Sequence, residues 1–291
     1  MITNIPTEAN FYKSAARFLT AAWEEAINEI ESAFYDEVDG YDNETSGDEA
    51  DGEEADEMGA DEAGTDEAGE CDALVTASIN AFTGIEHLLR ARITAISPYL
   101  LIGDCRDWPK QCDKKDVPFG AFKTIDAQDL IKACNTVGAA RLPEDFLDSF
   151  EKLRIIRNSL VHSHGSNAAT AREILIAILR STHILVGPLA WIKWRREAFQ
   201  ATHGGDDMPS WSSVMNKELS LAVFSLGAKD CNTYLKVNKR TRFYLCPACI
   251  QRRTRYEHKV MLVDDTQGMA QLEDPETIYC RTCEARASSP W

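Results

Sequence analysis

The chain has 291 residues, 44% of them hydrophobic, and a formal net charge of −16 at pH 7. That length suggests one or two domains with a real core, and no stretch approaches the roughly 18 consecutive apolar residues of a membrane span. The charge is local: residues 36–72 hold 18 Asp and Glu and no Lys or Arg, and without them the formal charge is +2. The N-terminus lacks the cationic flank, apolar run and small-residue cleavage site of a leader, so a cytoplasmic protein is expected.

Residues 8–34 place Phe11, Ala15, Phe18, Ala22, Ala26 and Ile30 at helical steps behind Thr7 as N-cap. This predicts a long helix (domain 1–35) whose one apolar face packs on the bundle that follows. Residues 36–72 are low-complexity, almost without large apolar side chains, and their like charges repel. Such a segment cannot recover the entropy of ordering, so a disordered acidic insert is expected. It acts as a solvating spacer or as a polyanion that competes with RNA for the protein's own basic surface.

A helical domain is expected over 73–202. Val75, Ile79, Phe82, Ile85, Leu89, Ile93 and Ile96 mark its first helix, which stops at Ser97-Pro98 and carries Glu86 and His87. Glu86 is placed to pair with Arg157 or Arg154 across the bundle. Residues 98–123 are turn-rich and include Cys105 and Cys112, read as unrelated loop thiols. A short helix is expected over Asp126 to Val137, with Gly138 as its stop. The next opens at Pro143, with Glu144 and Asp145 suited to its positive end.

At about 100° per residue, Phe146, Phe150, Leu153, Leu160 and Val161 of that helix share an arc, and Arg157 falls within it. A guanidinium there must find a partner or line a cleft, because an unpaired buried charge is prohibitively costly. Arg154, Asn158 and His162 follow at steps of four along the arc's edge. Arg offers forked donors to phosphate, Asn can orient a hydroxyl, and His carries protons near neutral pH. The structural alternative pairs Arg157 with a buried carboxylate and leaves His162 to cap the helix.

Gly165 allows a turn into an apolar helix over 168–186, expected to be central and broken by Gly187-Pro188. Trp191, Trp194, Arg195 and Arg196 then read as core rings with a solvated basic edge, or as a base-stacking strip. A linker is expected over 203–235, although residues 211–235 also fit a helix docked on the bundle. In the last unit, 236–291, Cys246-Pro247-Ala248-Cys249 and Cys280-Arg281-Thr282-Cys283 are two knuckles thirty residues apart. Four such thiolates complete a tetrahedral zinc shell. A structural Zn²⁺ site in a small β ribbon is expected, with a strand over 259–263. Four protein ligands leave no position for a catalytic water. Between Lys236 and Lys259 lie eight Lys or Arg and a single acid, interleaved with aromatic residues, which suits nucleic acid or a docking partner.

The run Arg157-Asn158-Ser159-Leu160-Val161-His162 resembles the signature of the HEPN superfamily: an Arg, a polar residue after it, and a His closing a gap of four. Ser163-His164-Gly165 and a further long helix follow, as in that family, and Phe82-Thr83-Gly84-Ile85-Glu86-His87-Leu88-Leu89 resembles an early HEPN helix. The resemblance covers residues 73–200. It implies a mainly α, HEPN-like bundle that forms a homodimer with two motifs facing each other. It also implies a metal-independent endoribonuclease with Arg157, Asn158 and His162 as catalytic residues. Toxins and antiviral-defence effectors are frequent in the family, some restrained by an antitoxin or regulatory protein. Two other functions fit the same chain: a non-catalytic nucleotide or RNA receptor, and an adaptor that uses the ribbon for DNA or a protein partner.

Overall fold

Two long helices set the frame. The computed structural model describes residues 1–43, 66–104, 106, 108, 116–162, 168–202, 211–251 and 269–288, without the side chains of 36–43, 66–72, 160–162 and 202. Helix α1 (Glu8–Asn43) starts where Thr7 and Asn10 cap each other, Thr7 Oγ1 accepting from Asn10 N at 3.3 Å and Thr7 N donating to Asn10 Oδ1 at 2.9 Å. Its buried stripe is Ala15, Leu19, Ala22, Trp23, Ala26 and Ile30. Phe18, expected in that stripe, is exposed.

Helix α2 (Asp66–Thr94) buries Ala77, Ala81, Phe82, Ile85, Leu88 and Leu89. Gly84 lies against Ala15 and Leu19. One turn on, the ring of His87 lies 5.8 Å from that of Phe11 and 5.6 Å from that of Phe18. The two helices therefore run antiparallel, in contact along small side chains. They also enter the acidic stretch from both ends, as far as Asn43 and from Asp66. Residues 44–65 of the expected insert lie outside the described residues.

Around this pair stand α3 (Ala127–Val137), α4 (Glu144–His162) and α5 (Ala171–Leu185). Asp126 caps α3 by accepting from Asp129 N at 2.9 Å. Thr170 and Glu173 close a reciprocal capping box on α5. As the sequence predicts, α5 is buried on most sides, including Ile174, Leu175, Ile178 and Leu179. At Gly187-Pro188 the chain turns by 104° into α6 (Ala190–Thr202).

On α6 the rings are core: Trp191 is 1% exposed and packs on Trp23, with ring centres 5.3 Å apart. The basic edge is not solvated. Arg195 is buried and pairs with Glu218 and Glu24, and Arg196 with Glu284.

The expected linker is corrected from residue 211 onward. Helix α7 (Trp211–Ser225), the short α8 (Ala228–Asp230) and a π turn (Cys231–Leu235) bury Met215, Leu219, Ala222, Leu226, Cys231 and Leu235 in the main core. Apolar residues on more than one side of α7 blur its period, which is why the sequence leaves it ambiguous. Residues 203–210 lie outside the described residues. Among the described residues, no single helix is long and apolar enough to cross a membrane.

The C-terminal unit holds α9 (Pro247–Gln251) and an antiparallel sheet of β1 (Ala270–Leu272), β2 (Thr277–Cys280) and β3 (Arg286–Ser288), in that order. It is fastened to the helices. Met269 joins the main core, Gln271 exchanges hydrogen bonds with the Asn238 backbone at 3.0 and 2.7 Å, and the buried Thr282 donates to Asn216 of α7.

A Cβ on Gly84 would sit 2.5 Å from Leu19 Cδ2 and 3.3 Å from the Ala15 carbonyl oxygen. Alanine's better helix propensity is worth about 1 kcal/mol, whereas forcing α1 away costs about 1–3 kcal/mol. Gly84→Ala should therefore lower unfolding free energy by up to about 2 kcal/mol in denaturant titration. In a Leu19→Ala background the same change should cost much less; an equal cost in both would disprove this contact.

Candidate functional site

Helix α4 turns Phe146, Phe150, Leu153 and Ile156 to the core, and this places Arg157 on the rim. Arg157 is exposed rather than centred in the arc. The buried face runs through Ile156, whereas the sequence reading had centred it with Leu160 and Val161, whose side chains lie outside the described residues. Of the two options open to this guanidinium, the structure takes the cleft. Arg157 Cζ lies 5.7 Å from the centre of the Phe82 ring, and Nη1 donates to Asn158 Oδ1 at 3.0 Å.

Arg157 and Asn158 are thus in contact. His162 ends α4, about 7.5 Å further along the axis at 1.5 Å per residue, and its side chain lies outside the described residues, as do residues 163–167. Arg154 is held within its own helix, its Nε and Nη2 donating to both carboxylate oxygens of Glu151 at 2.8 and 2.6 Å.

Arg154, Arg157 and Asn158 form one wall of an open cleft of about 450 Å³. Glu86 and Arg90 of α2 line it too, and the entry to α3 from Thr124 to Gln128 lines the other side. The side chain of Glu86 is only 15% exposed, and one of its oxygens lies 3.7 Å from Arg90 Nη2. Burial pushes its carboxyl above the ordinary range; the nearby cations Arg90 and Arg157 oppose this, and Asp126 reinforces it. The cross-bundle ion pair expected of Glu86 is therefore replaced by one along α2, with Arg157 acting through space. Arg90 was missed in the sequence, although its spacing of four from Glu86 marks an ion pair on one helix face. The cleft offers cations to phosphate and carboxylates to N–H donors, and both could serve a nucleotide.

The second constellation is the cysteine quartet. Cys246, Cys249, Cys280 and Cys283 bring their sulfurs within 4.8 Å of one another. Cys246 and Cys283 are 3.6 Å apart and Cys249 and Cys280 are 3.8 Å apart. These gaps are too long for S–S bonds and match the edge of a tetrahedron with metal–sulfur bonds of about 2.3 Å, which is about 3.8 Å. Hydrogen bonds from Cys249 and Cys280 draw the Cys246 thiol down to about 6. Cys283 is lowered by all three neighbours. Hydrogen bonding with the Cys246, Cys280 and Cys283 thiols, and after it burial, pushes Cys249 up. The thiolate is the ligand form, so the quartet could hold a structural metal ion, and the helical body with this cluster fits a zinc ribbon.

Part of the basic surface beside it is already engaged. Lys239 Nζ donates to the carbonyls of Phe224 and Leu226 at 3.3 and 2.9 Å, and Arg286 pairs with Glu273. Arg281 stacks over Tyr279 at 4.5 Å. Residues 252–268, with Arg252, Arg253, Arg255, Tyr256 and the strand expected over 259–263, lie outside the described residues, as do Cys105 and Cys112.

No family model matches the chain, and no curated protein or solved structure matches it either. The cleft and the sulfur cluster thus carry the functional reading between them.

Cys246→Ser and Cys280→Ser should each lower bound metal, read by elemental mass spectrometry, from about one ion per chain, and lower Tm by about 5 °C or more. Unchanged metal content and melting in both variants would rule out a four-sulfur site.

Proposed function

We propose that the chain is a metal-independent endoribonuclease of HEPN type, acting as a homodimer and fused to a structural zinc ribbon that helps recruit RNA. The observation that carries this reading is the exposed Arg157, with Asn158 against it, on the edge of an open polar cleft and on the helix that closes with His162. A cation presented to solvent across a cleft suits a phosphate better than a structural ion pair does.

In the proposed reaction the RNA 2′-oxygen bonds to phosphorus as the P–O5′ bond breaks. The products are a 2′,3′-cyclic phosphate and a free 5′-hydroxyl. One proton leaves the 2′-hydroxyl and another reaches O5′; His162 would carry one of them, and the equivalent imidazole of a second copy the other. Arg157 would stabilise charge on the non-bridging oxygens, and Asn158 would orient the ribose or phosphate. The RNA supplies its own nucleophile, so no step requires a catalytic metal. Zinc would be held by Cys246, Cys249, Cys280 and Cys283 and would serve folding. A role in toxin–antitoxin pairs or antiviral defence, with an antitoxin or regulatory partner, extends the proposal by family habit.

The paired charges Glu86 and Arg90 inside the cleft favour a second reading, a receptor that binds RNA or a nucleotide without cutting it.

His162→Ala and Arg157→Ala should each reduce cleavage of total RNA by about 10²–10⁴-fold. Wild-type products should end in cyclic phosphate, and a 2′-deoxy substitution at the cut site should block cutting. Undiminished cleavage by His162→Ala would refute the catalytic assignment; binding by the wild type without any cleavage would favour the receptor.

A further inference from the structure

Deep in the cleft, Glu86 is a desolvated carboxylate with a loose ion pair and no hydrogen bond from the described residues. Arg90, one turn along, keeps a buried Nε with no hydrogen-bond partner among them. A carboxylate held only by a 3.7 Å ion pair, beside a guanidinium with an unbonded nitrogen, leaves hydrogen-bonding capacity unused at a cost, and both residues line the cleft that Arg157 and Asn158 border. The remaining carboxylate there, Asp126, is committed to capping α3. The arrangement therefore presents two acceptor oxygens next to a guanidinium, on a carboxylate side chain only 15% exposed.

We infer that Glu86 and Arg90 form a guanine-reading pair, which selects the base next to the phosphate held by Arg157. Guanine's Watson–Crick edge carries two adjacent donors, N1–H and the N2 amino group, followed by the O6 acceptor. The donors fill both Glu86 oxygens, and O6 accepts from Arg90. Adenine and cytosine each bring one amino group and leave a carboxylate oxygen unpaired. Uracil brings a single N–H flanked by two carbonyl oxygens, and these face the carboxylate unfavourably. Unstacked bases in single strands are read on this edge, and about 450 Å³ lies within the range of pockets that enclose small ligands. This assignment rests on the cleft being the RNA site. It adds the identity of the base.

The test uses the full, metal-loaded chain and 2′-O-methyl trinucleotides that differ only in the central base, so that binding is read without cleavage. The guanine trinucleotide should bind about ten- to a hundredfold tighter than the other three. Glu86→Gln should bring that ratio close to one. Glu86→Asp keeps the charge but shortens the reach, and should lose most of the ratio as well; melting curves identify any variant that fails to fold. Equal affinity for all four bases in the wild type, or a guanine preference that survives in folded Glu86→Gln and Glu86→Asp, overturns the inference. So does GMP binding as tightly as the guanine trinucleotide, which would assign the cleft to a free nucleotide. Guanine preference in binding without any RNA cleavage would leave this pair standing and remove the nuclease.

Discussion

Everything else in the fold depends on how closely α1 and α2 approach. Gly84 lets the side chain of Leu19 come nearer than a Cβ would permit, with the carbonyl oxygen of Ala15 close beside it. The alanines on both helices keep that spacing along the seam. Close approach buries the small residues on one side of α2 and frees Phe82, Ile85 and Leu89 to meet the other helices. The same rotation points Glu86 and Arg90 into the cleft. Seam and site are therefore set by one choice of helix face, and the site is supported by helices rather than loops.

The sequence made the larger outline legible where the signal was periodic or strictly spaced. Thr7, Asp126 and the break at Gly187-Pro188 mark helix ends because each satisfies or removes specific backbone groups. The two Cys-x-x-Cys pairs foretell the sulfur cluster because few other arrangements need thiols at that spacing. Arg157 was identified as the residue to explain, but its position on the rim was not. A helical wheel fixes an angle only to within the uncertainty of which neighbours define the core, and one residue is 100°. Residues of α7 were harder still, since a helix covered on several sides has no polar face to betray its period. Arg90 escaped because an ion pair along one helix looks like ordinary surface chemistry until the cleft around it is seen.

Charge was the least reliable guide. Arg195, in a run that reads as a basic edge, is 3% exposed and ties α6 to Glu218 on α7 and Glu24 on α1. Trp23 Nε1 donates to the same Glu218 at 2.9 Å, so the buried carboxylate is shared between a ring and a cation. Burial pushes the Glu218 carboxyl up, and Arg195 works against that. Such a knot does little for net stability compared with apolar packing, yet removal of one partner leaves a stranded charge. It fixes the relative placement of three helices.

The turn that carries Cys280 and Cys283 serves two structures at once. Between and beside these cysteines, Thr282 bonds Asn216 on α7 and Glu284 bonds Arg196 on α6. An ion gripped by the sulfurs would thereby hold the outer helices, and those helices would in turn hold the sulfurs in place. Affinity for the ion and resistance of the helical body to unfolding become a single thermodynamic quantity seen from two ends. A thiol-oxidising environment would be felt in α6 and α7, which carry none of the four cysteines.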